Sequence, residues 1–78
     1  MTVFYFDVRD NGRKIVDLAG ADLPSVAAAV DCANAYLKRL EISAEERSRR
    51  TFEIRNGNKV VVKIPFTVVD SEAQRRAS

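Results

Sequence analysis

Four aspartates in the first third of the chain are the residues whose type and spacing could support chemistry. They are Asp7, Asp10, Asp17 and Asp22. Clustered carboxylates can hold a hard metal ion or exchange protons with a substrate. Asp17 and Asp22, however, flank Gly20 in a connecting segment, where aspartate and glycine form turns and caps. We therefore expect no catalytic residue, metal site or small-molecule substrate here, and we expect Gly20 to have a positive φ.

Nucleophilic and zinc chemistry have little support elsewhere in the chain. The sequence contains no histidine and a single cysteine, Cys32. The usual proton shuttle near neutral pH and the commonest zinc ligand are therefore missing, and no internal disulfide can form. Cys32 follows Asp31, whose negative charge disfavours a reactive thiolate. We predict a protein that is not an enzyme and that has no cofactor.

The basic residues of the second half are the feature that points to nucleic acid. From Lys38 to Lys63, eight basic residues face four acids. A local excess of this size predicts only weak, salt-sensitive binding to phosphates. Tyr5 could stack a base as in sheet-surface RNA-binding proteins, but Asp7 and Glu53 interrupt the positive field. The candidate phosphate contacts are Arg47, Arg49, Arg50, Arg55 and Lys63.

Two β-hairpins are indicated by β-branched and aromatic residues on either side of a turn. The first runs from Val3 to Leu18 and the second from Thr51 to Phe66, each with an Asn-Gly pair at its turn, where positive φ is tolerated. The stretch Phe6-Asp7-Val8-Arg9 matches Phe52-Glu53-Ile54-Arg55. The match indicates either an internal duplication or, as we favour, convergence on the pattern of a half-buried hairpin.

Side-chain faces predict the register of the second hairpin. A three-residue loop, Asn56-Gly57-Asn58, would pair Ile54 with Val60 and Phe52 with Val62, and would keep one face apolar. We therefore expect an odd-length loop with a bulge. The first hairpin is less determined, because its inner residues could face either Ile15 or the pair Val16 and Leu18.

An amphipathic helix connects the hairpins. Ser25, after Pro24, is the expected N-cap, and Ser43 to Glu46 resembles a capping box for a short second helix through about Arg49. This order predicts an α+β domain, ββαββ, with four mainly antiparallel strands and one helix packed on one face. The expected core is Val26, Ala29, Val30, Ala33, Leu37 and Leu40 of the helix against Phe4, Phe6, Val8, Phe52, Ile54, Val60, Val62 and Ile64 of the strands.

The length allows one thin-cored domain. We expect the domain to cover residues 1–69 and a flexible polar tail to cover 70–78. A core this small rarely supplies more than about 3–5 kcal/mol of stability, and small domains often gain the rest by oligomerising. No apolar run approaches the roughly 20 residues of a membrane helix, and the N-terminus lacks signal-peptide features. With its lone cysteine, the chain is expected to be cytoplasmic and to bind no membrane.

The sheet face away from the helix is the expected binding surface. It would carry an apolar strip of Val3, Tyr5 and Val61, with Ile15 as a further member. An exposed apolar strip rimmed by charge is typical of a protein interface. We therefore expect an interaction or regulatory module that binds itself or another protein, as a homodimer or an adaptor. The alternative is weak nucleic-acid binding through the basic second hairpin.

Three features of the sequence occur together: an aromatic first strand, an Asp-x-x-Gly-x-x-Leu-Pro turn from Asp17 to Pro24 before the helix, and Pro65-Phe66 at the end of the last strand. In these features the chain resembles a family of short alphaproteobacterial, rhizobial-type proteins that is classed as a domain of unknown function. Asn56, preceded by Arg55, departs from the family's acidic turn residue and makes the hairpin more basic. The resemblance implies this fold and a bacterial cytoplasmic setting, and it implies no activity, ligand or catalytic residue.

Overall fold

The structure is a computed structural model in which residues 1–67 of the 78 are described. The expected tail at 70–78 lies outside the described residues, as do the last two positions of the expected domain. The described residues form five strands and two helices: β1 Thr2–Asp10, β2 Arg13–Ile15, β3 Ala21–Leu23, α1 Val26–Arg39, α2 Ala44–Arg49, β4 Arg50–Asn56 and β5 Lys59–Pro65. The predicted α+β class is confirmed, and β3 is an addition to the predicted order.

The strands form one antiparallel sheet in the order β2-β1-β4-β5. β3 also pairs with β1, through Thr2 to Phe4, whereas β2 pairs with Val8 to Asp10. The far edge of β1 is therefore shared by two short strands. Helix α1 packs on one face of the sheet, and we call the opposite side the open face. By strand alternation the open face carries the β1 residues Val3, Tyr5, Asp7 and Arg9.

The two hairpin turns differ from each other in position and register. Asn11 and Gly12, with φ of 51° and 86°, make the two-residue turn of the first hairpin, as predicted. The second turn is Gly57-Asn58, because Asn56 pairs with Lys59. The predicted three-residue loop is therefore wrong.

The extra residue lies in β5 instead of in the loop. Ile54 pairs with Val62 and Arg55 with Val60, so that Val61 forms the bulge. The predicted pairing of Ile54 with Val60 is therefore wrong as well. A bulge inside the strand permits the tight turn at Gly57 and still keeps the inner residues of β4 and β5 on one face.

The core lies between α1 and the inner face of the sheet. Its buried residues are Phe4, Ala29, Ala33, Leu37, Phe52, Ile54, Ile64 and Phe66. Phe6, Val8, Val30, Leu40 and Val62 pack against this cluster as expected. Val60 and Val26 are wrong as core predictions, since they are 37% and 42% exposed. Phe66 fills the end of the core near α2, where Phe52 lies with its ring centroid 4.7 Å from that of Phe66.

Both helix starts are capped as predicted. The Ser25 hydroxyl accepts a hydrogen bond from the Ala28 amide at 3.1 Å, and the Ser43 hydroxyl accepts one from the Glu46 amide at 3.1 Å. Each cap satisfies an amide that has no partner within its helix. The second helix ends at Arg49, also as predicted.

Asp17 fills the gap between β2 and β3 along the edge of β1. Its carboxylate accepts hydrogen bonds from the amides of Phe6 at 3.1 Å, Ala19 at 3.0 Å and Gly20 at 3.2 Å. The side chain thus replaces a strand carbonyl opposite Phe6 and also closes the turn that follows. This role is structural, in agreement with the interpretation of Asp17 and Gly20 as turn residues.

Gly20→Ala is expected to lower the free energy of unfolding by about 2–4 kcal/mol, as measured by urea denaturation. Gly20 has a φ of 72°, and an added Cβ would lie 2.7 Å from Val3 Cγ1 and 2.9 Å from Tyr5 Cε1. The matched control is Gly57→Ala, because Gly57 has a φ of 63° and nothing within 4 Å of an added Cβ. The control should lose about 1–2 kcal/mol. Equal losses would contradict the close approach.

Candidate functional site

The centre of the open face is a network of ion pairs. Asp7 and Glu53 lie directly opposite each other on β1 and β4, and they are 0% and 5% exposed. Arg55 Nε lies 2.7 Å from Asp7 Oδ2, and Arg9 Nε lies 2.8 Å from Glu53 Oε2. Lys14 Nζ lies 3.5 Å from a carboxylate oxygen of each. Two buried anions are therefore held beneath three cations.

The two segments that match in sequence, Phe6 to Arg9 in β1 and Phe52 to Arg55 in β4, are related by an approximate two-fold axis through the ion-pair network. The axis passes between Asp7 and Glu53, since Phe6 pairs with Ile54 and Val8 pairs with Phe52. It relates Asp7 to Glu53 and Arg9 to Arg55, so that each arginine binds the carboxylate of the other strand. The repeated pattern thus has a physical purpose in either interpretation, because it builds two equivalent diagonal ion pairs.

The carboxylates of this network are held ionised. Burial alone would raise the pKa of Asp7, but the Arg55 hydrogen bond, the Asp17 amide and the charges of Arg55 and Lys14 lower it. The hydrogen bond from Arg9 is the main cause that lowers the pKa of Glu53, against a smaller opposing effect of burial. For Asp17, burial again opposes, and three backbone amides lower the pKa.

Both carboxylate oxygens of Asp7 and of Asp17 accept hydrogen bonds from neighbouring donors. A carboxylate that acts as a general acid or base near neutral pH needs a raised pKa, and those of Asp7, Asp17 and Glu53 are lowered. Within residues 1–67, no group of three His, Cys, Asp or Glu side chains is arranged to hold a metal ion. The ion pairs and hydrogen bonds of this arrangement join β1, β2 and β4 of the sheet.

The predicted apolar strip is smaller than expected and has a different membership. Val3 is 42% exposed, whereas Tyr5 is half-buried with the Arg55 guanidinium 4.4 Å from its ring centroid. Val61 is wrong as a member because it packs against the core cluster. Ile15 is wrong as well, since it pairs with Val8 and so lies on the helix side. Val60, the partner of Arg55, joins the strip on the open face.

The predicted phosphate contacts do not form one patch. Arg47 is corrected from a surface residue to a buried one, because it is 8% exposed and donates to the carbonyls of Leu37 at 3.0 Å, Leu40 at 2.7 Å and Phe66 at 3.3 Å. The sequence does not reveal this role, because an arginine that follows a capping box in a short polar helix usually lies on the surface. Arg47 anchors the end of α1 and the end of β5 to α2.

The other four candidates have different surroundings. Arg49 and Arg50 both lie near Asp10, at 3.6 Å and 3.3 Å. Arg55 binds Asp7, donates to the Gly57 carbonyl at 2.8 Å and covers Tyr5. Lys63 is exposed on the open face, where it pairs with Glu53. Among the five, Lys63 thus presents its charge most freely.

A second candidate site lies on the helix side of the sheet, and it was missed in the sequence. It is an apolar groove of about 390 Å³, which we call the helix-side groove. Its walls include Phe6, Val8 and Phe52 from the sheet, and Cys32, Ala33 and Tyr36 from α1. The Phe52 ring lies edge-on to those of Phe6 and Tyr36, with centroids 6.2 and 5.8 Å away.

The groove exists because one helix cannot cover the sheet. Four strands extend about 19 Å across, whereas a helix is about 10 Å wide. The small side chain of Ala33 and the Asp17–Gly20 turn then leave the space beside Phe6 and Val8 open. Two features of the sequence could have predicted the groove. One is that four strands are wider than a single helix, and the other is that helical spacing places Cys32 and Tyr36 beside the buried alanines of α1.

Several exposed apolar side chains belong to the lining of the groove or to residues next to that lining. Tyr36 lines it and is 48% exposed, and Ile15, the strand partner of Val8, is 59% exposed. Leu18 is 91% exposed and follows Asp17, another lining residue. The helix-side groove thus combines a concave apolar surface with a projecting apolar side chain next to it, which is an arrangement that suits protein binding.

Comparison with known proteins identifies a family for this fold. The family model described as a domain of unknown function, DUF6894, matches residues 3–67. No curated protein and no solved structure matches the chain. The expected relation to a domain of unknown function is therefore confirmed, while the alphaproteobacterial origin stays a prediction. Within the part of the chain that is described, no helix is long and apolar enough to cross a membrane.

Proposed function

The chain belongs to the DUF6894 family of domains of unknown function, and from this premise we propose that it is a non-enzymatic interaction module that dimerises through the helix-side groove. The observation that carries this proposal is the groove of about 390 Å³ with Leu18, 91% exposed, beside it. We place the module in the cytoplasm, because its single cysteine has no disulfide partner within the chain.

A second copy of the chain suits the groove for a geometric reason. In a two-fold dimer each copy presents the same surface, so that a projecting side chain and the pocket that receives it must lie on the same face of the chain. Leu18 lies next to Asp17, which lines the groove, and Ile15 and Val16 are 59% and 48% exposed in the same segment. Reciprocal insertion of Leu18 would cover these side chains and Tyr36 together. It would also add apolar burial to a thin core.

Weak nucleic-acid binding by the second hairpin has less support. Arg47 is buried, and the Arg55 guanidinium covers one face of the Tyr5 ring at 4.4 Å. A base would have to displace that guanidinium to stack on the same ring face, at the cost of the Asp7 ion pair. The groove therefore supports the interaction module better.

Leu18→Ser is expected to convert the dimer into a monomer at micromolar concentration, as measured by sedimentation velocity. Loss of a buried leucine anchor at the centre of an interface typically weakens association by about 2 kcal/mol or more, or roughly 30-fold. Because Leu18 is 91% exposed in the single chain, its replacement should leave the fold intact. Circular dichroism would check this.

The matched control is Val60→Ser on the open face, where Val60 is 37% exposed. This variant should remain dimeric. A monomeric wild-type protein at high micromolar concentration would overturn the homodimer, and so would a dimer that survives Leu18→Ser. Dissociation caused by Val60→Ser alone would move the interface to the open face.

A further inference from the structure

Cations on the open face lie above the anions that neutralise them. The side chains of Arg9 and Lys14 are 45% and 36% exposed, whereas those of Glu53 and Asp7 are 6% and 0% exposed. A partner that approaches this face therefore meets positive charge, because Lys63 joins the three cations of the network, whereas two anions, Asp7 and Glu53, lie beneath them. We propose that the open face is a docking site for an acidic segment of another protein, with apolar residues among its acids.

The cations form a diagonal row across the face, since Arg9 and Lys14 lie level with Thr51 and Lys63 lies level with Glu53, two residues along the same strand. Lys14 of β2 pairs with Arg9 of β1, and Lys63 of β5 pairs with Glu53 of the strand between them. Strands are about 4.8 Å apart, so the row extends about 14 Å across the sheet. An extended chain covers that distance in about four residues, at about 3.3 Å per residue. Two or three carboxylates at such spacing would match the row.

The rest of the face determines the apolar part of the partner. Val3 and Val60 are 42% and 37% exposed and lie toward the end of the strands that is farther from the row, on either side of the stacked Tyr5 and Arg55. Aliphatic side chains of the partner can cover them. Asp22, which pairs with Val3 from β3, is the exposed acid of this end and lies away from the row.

A second copy and a nucleic acid both fit this face less well. A second copy would bring its own Arg9, Lys14 and Lys63 close to the same three cations of the first copy. Asp22 is the exposed acid that could offset them. Because like charges across an interface oppose association, this arrangement is unfavourable. A nucleic acid gains from the cations, but Val3 and Val60 offer it nothing, and the covered face of Tyr5 cannot stack a base. An acidic and apolar peptide uses both parts of the face.

The test is fluorescence anisotropy with the full chain and three labelled probes. These are a ten-residue peptide in which four consecutive glutamates precede a segment of leucine and serine, the same peptide with lysine in place of glutamate, and a ten-nucleotide oligothymidine. The glutamate peptide should bind, the lysine peptide should not, and added salt should weaken the binding. Lys63→Gln should weaken it about threefold, as expected for the loss of one exposed charge contact.

The matched control is Lys59→Gln, because Lys59 is an exposed lysine of the same strand that pairs with Asn56 on the other face. It should leave the affinity unchanged. The proposal is overturned if the glutamate peptide fails to bind at millimolar concentration or if Lys59→Gln weakens it equally. Tighter binding of the oligothymidine, weakened by Lys63→Gln, would assign the face to nucleic acid instead. If Lys63→Gln alters dimerisation, the open face binds a second copy instead of a peptide. The peptide binding does not depend on the dimer, so Leu18→Ser should abolish dimerisation and leave the peptide affinity unchanged.

Discussion

Arg47→Leu is expected to leave much of the protein unfolded at 25 °C, with a loss of about 3–5 kcal/mol in the free energy of unfolding. Arg47 is 8% exposed and donates to three carbonyls, those of Leu37, Leu40 and Phe66. Leucine would fill similar volume, but it leaves buried carbonyl oxygens without a donor, at about 1–3 kcal/mol each. It also removes a positive charge from the C-terminus of α1, where the helix dipole favours one.

The comparison for this variant is Arg49→Leu in the same short helix. Arg49 is 32% exposed in its side chain and lies 3.3 Å from Glu45 and 3.6 Å from Asp10. Surface ion pairs of this kind contribute at most about 1 kcal/mol. Urea denaturation followed by circular dichroism measures both variants. Similar midpoints for the two would show that Arg47 does not tie α1, α2 and the end of β5 together.

Asp7→Asn is expected to lower the free energy of unfolding by about 3 kcal/mol at neutral pH. The substitution conserves shape but removes the charge that Arg55 and Lys14 share, and it leaves these two cations near an amide. The buried side chain also accepts a hydrogen bond from the Asp17 amide at 2.9 Å. The exposed Asp22, replaced by Asn in the same way, should change stability by less than about 0.5 kcal/mol.

The pH dependence gives this prediction a second readout. The pKa of Asp7 is lower in the folded chain than in the unfolded one, so the unfolded state binds the proton first. The stabilisation is therefore complete above the unfolded pKa of about 4 and is lost as the pH falls through the folded pKa. The difference in stability between wild type and Asp7→Asn should be constant from about pH 7 to pH 5 and should shrink below pH 4. A difference that stays constant down to pH 2 would contradict an ionised Asp7 in the network.

The open face illustrates how much of the site was predictable. Alternation placed Val3, Tyr5, Glu53, Arg55 and Lys63 on it correctly, because strand side chains point to opposite faces with a period of two. It also placed Val61 there, which is wrong because of the bulge in β5. It could not show that Asp7 and Glu53 would meet directly, because that depends on the register between β1 and β4, segments more than 40 residues apart. The open face therefore presents cations to solvent where the sequence suggested a field interrupted by acids.

Local interactions explain what the sequence by itself determined. The two hairpins, the helix from Ser25 and the short helix from Ser43 follow from side-chain periodicity, caps and turn residues, whose energetics involve neighbours within about four positions. The α+β class follows from their order. These predictions required no knowledge of which distant segments meet.

The tertiary structure decided everything that depends on distant contacts. A bulge at Val61 shifted the register, the pairing with Val8 placed Ile15 on the helix side, and the ends of α1 and β5 enclosed Arg47. The helix-side groove arose in the same way, from a sheet wider than the helix that covers it. The physical reason is that burial depends on packing partners, and a shift of one residue in a strand moves a side chain to the other face.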